Sequence, residues 1–151
     1  MTTTLKAQLR TDLTTAMKAR DELRSATIRM ALSAITNEEV AGKVARELSD
    51  DEVLKVLGRE VKKRKEAAEA FAGAGRAEQA AREEAEGEVL TAYLPAQLSD
   101  EELHGLVVAA VAETGAEGPR AMGVVMKVLT PRIAGRADGS RVAAAVKSAL
   151  S

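Results

Sequence analysis

The chain has 151 residues, with 22 Lys+Arg against 23 Asp+Glu and a net charge of −1, which excludes the strongly basic surface of a generic nucleic-acid binder. Aromatic residues make up 1% of it, Phe71 and Tyr93 alone, so the core must be built from Leu, Val, Ile, Met and Ala, which bury modest area per residue. Cysteine is absent, which excludes disulfides, thiolate nucleophiles and cysteine-held zinc and fits a reducing cytoplasm.

The N-terminus, Met1-Thr2-Thr3-Thr4-Leu5-Lys6, lacks the apolar h-region of a signal peptide, and no run approaches the roughly 18 apolar residues of a membrane span. A soluble, cytoplasmic protein is expected. Hydrophobic residues recur with helical period nearly everywhere, and no stretch alternates as a strand would, so the fold class is all-α. Leu5, Leu9, Leu13 and Met17 define a first helix, with threonines before it able to cap it. Leu23, Ile28, Ala31, Leu32 and Ile35 define a second, either continuous with the first or broken near Asp21. It should fade between Asn37 and Gly42, where Gly42 can adopt the left-handed cap conformation.

Two helix starts are written almost identically, Leu48-Ser49-Asp50-Asp51-Glu52-Val53 and Leu98-Ser99-Asp100-Glu101-Glu102-Leu103. In each, the serine can cap the third amide while the glutamate three residues on reaches back to the serine amide. The acidic triplets are read as first-turn charges stabilised by the helix macrodipole rather than as metal ligands.

The helix from Asp50 carries Val53, Leu57, Ala68 and Phe71 on one face, and Glu60 and Arg64 fall on the same stripe at i, i+4 spacing. That polar pair is either mutually satisfied beside the core or part of a polar groove used for binding. Lys62-Lys63-Arg64-Lys65 points around most of the helix circumference and reads as a solvated helix rather than one nucleic-acid face. Gly73-Ala74-Gly75 breaks the pattern before a second, alanine-rich helix runs to Leu94, which makes an antiparallel hairpin. Pro95 biases Leu94 away from helix, so the expected organisation is an N-terminal multi-helix bundle with a long hairpin over residues 1–96 and a C-terminal three-helix bundle over 97–151.

In the C-terminal part, one helix should stop at Gly115 and the next start at Gly118-Pro119, with proline at the favoured first position. Pro131 should kink or end that helix, Gly135 should close it in the left-handed conformation, and Asp138 should cap the last helix. The charge here is segregated. Asp100, Glu101, Glu102, Glu113 and Glu117 stand without a cation from Gln97 to Glu117, whereas Arg120, Lys127, Arg132, Arg136, Arg141 and Lys147 face Asp138 alone afterwards.

Little points to chemistry. The single histidine, His104, lies just after the Ser99 cap, where a protonated ring is disfavoured, and no second histidine or cysteine could work with it. No Gly-x-Ser-x-Gly elbow or phosphate-binding Gly-rich loop occurs, and Gly135-Arg136-Ala137-Asp138-Gly139 follows no strand. No catalytic residue, metal site or cofactor is expected. RNA contact would have to run through phosphate and ribose, because aromatic stacking platforms are missing.

Tyr93-Leu94-Pro95-Ala96-Gln97-Leu98-Ser99, the segment from Pro119 to Met126 and the Gly135–Gly139 turn resemble the stand-alone GatB/YqeY family of small bacterial proteins, as do Ile28-Arg29-Met30 and Asn37-Glu38-Glu39. Arg120 to Leu150 is also similar to the tail of the B subunit of the tRNA-dependent amidotransferase, where Gly-Lys-Ala-Asn stands in place of Gly135-Arg136-Ala137-Asp138. The resemblance implies a tail that holds tRNA while the reactions happen elsewhere. The expectation is a non-catalytic tRNA- or RNA-associated module in which Lys127, Arg132, Arg136 and Arg141 touch backbone phosphates while Gly135 and Asp138 shape the turn. Two other readings stay open. One is a protein-interaction adaptor whose alanine-rich hairpin or Glu60/Arg64 stripe receives a partner helix; the other is an accessory of a carbon–nitrogen ligase that uses glutamine as amido-nitrogen donor.

Overall fold

A computed structural model describes residues 3–151; Met1 and Thr2, the start of the stretch expected to carry no export signal, lie outside the described residues. Seven α-helices and one short 3-10 turn, with no strand among the described residues, make the chain all-α. It folds as two compact units that divide between Leu94 and Pro95.

The first unit contains α1 (Leu5–Lys18), α2 (Glu22–Glu39), α3 (Asp50–Gly73) and α4 (Ala77–Thr91). Thr4 caps α1 by accepting the Ala7 amide at 3.1 Å. The break between α1 and α2 is sharp: Arg20 is left-handed at φ +58°, and Asp21 restarts the helix by accepting the Arg24 amide at 3.1 Å. Leu9, Ile28, Ile35, Val53, Leu57 and Leu90 are completely buried where the four helices meet, and Leu5, Leu13, Val61, Val89 and Tyr93 pack around them. Leu90 is the one large aliphatic side chain of α4 that is fully buried. The other buried positions of that helix are Ala80 and Glu86.

Polar ties supplement this small core. The second helix ends at Glu39 without a left-handed glycine, since Val40 is its C-cap at φ −105° and Gly42 has no positive φ. The Glu39 side chain turns inward instead. It accepts the Lys6 ammonium at 2.7 Å and the Leu48 amide at 3.2 Å, joining α1 to both ends of the connection before α3. These bonds, with Lys6 first, hold its carboxyl below the ordinary carboxylate range.

The α3–α4 hairpin turns at Gly75, φ +75°, and is tied by charges on its interior. Glu60 and Glu86 are both buried, at 8% and 7% exposure, with Arg64 between them at 3.5 Å and 3.8 Å. Lys63 reaches Glu60 and Arg82 reaches Glu86 from the solvent side, at 3.4 Å and 3.3 Å. The Arg64 Nε is buried without a hydrogen-bond partner, so its contribution is Coulombic.

The second unit contains α5 (Asp100–Thr114), the 3-10 turn Pro119–Ala121, α6 (Met122–Ile133) and α7 (Gly139–Leu150). Ser49 and Ser99 both form complete capping boxes with Glu52 and Glu102. Gly115 ends α5 at φ +63°. Leu103, Val107, Val125, Leu129, Ile133, Val142, Val146 and Leu150 form the core of the three helices. Pro131 does not stop α6: it sits in the last turn, and the helix runs on to Ile133. The left-handed closure begins at Ala134, φ +48°, before Gly135 at φ +77°. The expected glycine cap therefore has an alanine sharing its role.

Leu90→Ala should cost about 2–5 kcal/mol in a urea titration, since α4 has no second large side chain to fill the void. Arg64→Ala removes the cation shared by buried Glu60 and Glu86 and leaves each with only its solvent-side partner, Lys63 or Arg82, and the same titration should register a loss of about 1–3 kcal/mol. For Glu39 the folded carboxyl titrates below its ordinary value of 4.5, so its stabilisation is present above that value and disappears as pH falls through the folded pKa. Acid titration of stability should be less steep in Glu39→Gln than in the wild type, and the variant should be less stable at neutral pH.

Candidate nucleic-acid interface

The turn between α6 and α7 is set by backbone geometry and then clasped by the segment that precedes α5. With Ala134 and Gly135 left-handed, the chain reverses and the Arg136 carbonyl accepts the Leu98 amide at 2.7 Å. The Leu98 carbonyl in turn accepts Arg141 Nη2 at 3.0 Å, and Gln97 Nε2 donates to the Gly135 carbonyl at 3.4 Å. The Pro95–Ser99 and Gly135–Gly139 segments, 40 residues apart along the chain, thus meet in space. Asp138 caps α7 by accepting the Ser140 amide at 3.2 Å.

Each arginine expected at this site already has partners. Arg136 folds back over the end of α6, its side chain donating to the Arg132 carbonyl at 2.8 Å and to the Ile133 carbonyl at 3.2 Å, the latter also accepting the Arg136 amide at 3.0 Å. Arg141 adds Asp100 at 2.9 Å to its bond with Leu98. Arg132 binds Glu113 in a two-pronged pair, one prong at 2.9 Å, and this raises the arginine's pKa while lowering the glutamate's. Glu102 is held below the usual carboxylate range by the Ser99 amide and hydroxyl, with a smaller contribution from Arg136. The acidic block and the basic block that follow one another in sequence therefore fold onto each other.

Gly135, Arg136, Asp138 and Arg141 meet at the turn, whereas the Arg132 guanidinium is drawn to Glu113 in the last turn of α5, about 20 Å along that helix from the Asp100 that Arg141 holds. Lys127 is not tied to them: it is exposed on α6, seven residues after Arg120, on a stripe shared with exposed Val124 and Pro131. Arg120 and Lys147 are exposed too, and neither forms an ion pair with the described residues. The roles of Glu113, Asp100 and Leu98 as partners of the arginines were missed in the sequence. The signal was the abrupt change of charge sign near Gly118, which was read as a basic surface when it also marks two complementary halves of a bundle.

The Glu60/Arg64 stripe is interior: Glu86 of α4 covers it, and Arg64 Nη2 contacts the Met30 sulfur of α2 at 3.2 Å, so the chain's own side chains pack against it. Tyr93 serves a similar tie: its hydroxyl donates to the Asp12 carboxylate, and burial, followed by that carboxylate, pushes the phenol pKa up. Beside it, Asp12, Thr15, Asp21 and Arg24 line a shallow open depression of about 290 Å3. His104 is exposed on α5. No group of three or more His, Asp or Glu is placed to hold a metal among the described residues, and no helix there is long and apolar enough to cross a membrane.

Comparison with known proteins agrees with the motif-level likeness. The chain matches the family described as Yqey-like protein over residues 6–150. It is 36% identical over 97 residues to an uncharacterized protein of Schizosaccharomyces pombe, covering 64% of this chain and 76% of that one. It is 37% identical over 101 residues to the Altered inheritance of mitochondria protein 41, mitochondrial, of Clavispora lusitaniae, covering 66% of this chain and 58% of the relative. With nearly its whole length matched, the chain belongs to the YqeY-like family.

Proposed function

We propose that the chain is a non-catalytic RNA-associated module that holds the phosphate backbone of a tRNA, or another structured RNA, at the Gly135–Gly139 turn. One observation carries the reading: Arg136 and Arg141 are held at this turn by carbonyls and a carboxylate, and Arg132, in the last turn of α6, is held by Glu113. A phosphate arriving there meets guanidinium groups whose rotamer entropy is already lost, which lowers the cost of binding. Arg141 makes both of its bonds through Nη2, and its remaining N–H groups suit a further acceptor. The likeness of this segment to the amidotransferase tail supports RNA over other anions, and exposed Lys127 extends the positive surface along α6.

Glu113 and Asp100 neutralise part of this charge, so binding is weak and strongly salt-dependent. With three or four phosphate contacts, log K should fall against log salt with a slope of about −2 to −3. Catalysis on this reading belongs to other polypeptides. A cytoplasmic location goes with it and is supported by the absence of cysteine.

Because Arg136 and Arg141 also hold the turn together, replacing them would confuse binding with folding. The informative variant is Lys127→Glu combined with Arg132→Gln, checked for an unchanged helical spectrum. In a tRNA titration at low salt it should bind about tenfold or more weakly than wild type, while Glu113→Gln, which frees Arg132, should bind more tightly. Equal affinity of all three proteins would sink the reading.

A further inference from the structure

The α3–α4 hairpin has two long faces that treat charge in opposite ways. On the interior face, Glu60 and Glu86 are paired with Arg64, Lys63 and Arg82. On the other, a groove of about 390 Å3 runs between the helices, with Val61 and Ala68 of α3 and Gly87 of α4 as its floor. Its walls carry Glu69, Glu83, Glu84 and Glu88 against one cation, Lys65. None of these four glutamates forms an ion pair with the described residues, although Arg82 stands on the same helix and is directed to Glu86 instead. The hairpin thus neutralises the carboxylates it encloses and leaves those of its groove available.

We propose that this groove is a docking site for a basic amphipathic helix of a partner protein. The lining runs from Val61 to Glu69 on α3 and from Glu83 to Thr91 on α4, each about 12 Å at a helical rise of 1.5 Å per residue. That is the length of two turns of a bound helix. Ala68, 4% exposed, and Gly87, whose missing Cβ would face the Arg64 Cβ at 3.7 Å, keep α3 and α4 close together, so the groove between their glutamates is narrow. Lysines or arginines at i, i+4 spacing on the ligand meet glutamates from both walls, while an apolar residue between them covers the part of Val61 that the fold leaves exposed. Unpaired carboxylates on both sides give the register and the on-rate, and the narrow apolar floor gives the contact that survives screening. Nucleic acid is repelled by the same walls, so this surface is separate in chemistry from the arginine-lined turn.

The test uses the full-length chain and a synthetic amphipathic Lys/Leu helix of about 18 residues, long enough to be helical, with a scrambled peptide of equal composition as reference. Glu84→Lys/Glu88→Lys reverses two exposed groove residues, and Glu47→Lys/Glu117→Lys makes the same change in net charge at exposed positions outside it. The proposal expects the amphipathic peptide to bind wild type more tightly than the scrambled one. Groove reversal should weaken it at least about tenfold, with the control variant close to wild type. Equal losses in both variants, equal binding of the two peptides, or no binding to wild type would overturn it. Self-association of the wild-type chain that only the groove reversal abolishes would assign the groove to a second copy and overturn it as well. Thermal melting of both variants separates loss of binding from loss of fold.

Discussion

An arginine set between two buried carboxylates keeps an alanine-rich hairpin in register. Alanines slide past one another with little penalty, because each presents the same small methyl and none interlocks deeply with the facing helix. Leu90 alone anchors α4 in the core as a large, fully buried side chain. Register along the remaining turns comes from Glu60, Arg64 and Glu86, since a slip of one turn would leave a charge buried without its partner. Lys6–Glu39 and Tyr93–Asp12 extend the same device to α1, the connection before α3 and the end of α4.

The C-terminal unit uses arginine differently. Its three helices have an ordinary aliphatic core, and the arginines tie their ends, to a carbonyl of the last turn of α6, to the carbonyl before the Ser99 cap and to carboxylates of α5. Arg136 finishes α6, Arg141 joins α7 to the segment before α5, and Arg132 crosses to Glu113 of α5. A guanidinium suits this because it can satisfy two acceptors in one plane and keep N–H groups to spare. On the proposed RNA-binding reading, the same rigidity that holds the turn would also prepare it for an anion, so structural and binding roles would coincide in these residues.

Charge is distributed by enclosure rather than by region. Where carboxylates lie between helices they are matched, as at Glu39, Glu60 and Glu86, and where they face outward from the hairpin groove they are not. Burial explains the first pattern, because an unmatched charge away from water costs several kcal/mol, on the order of 3–5. Exposure permits the second. A net charge of −1 conceals both an anionic groove and a cationic turn.

Much of this was legible in the residues themselves. The serine capping boxes, the Gly75 and Gly115 turns, the Asp138 cap and the helical class follow from local stereochemistry, and the structure has all of them. The family was readable too, because its motifs are contiguous stretches. Gly42, Pro131 and Ala134 were less legible: a glycine permits the left-handed conformation without requiring it, and a proline in a last turn forgoes little. What no local rule contained was partnership. That Arg132 meets Glu113, that Arg141 meets Leu98 and Asp100, and that Glu86 covers Glu60 and Arg64 depend on residues 19 to 43 positions apart. The sequence by itself determined where helices start and stop, since capping and turn chemistry act within a few residues; only the tertiary structure decided which charges are enclosed and which remain available, since a carboxylate's state depends on what the fold brings beside it.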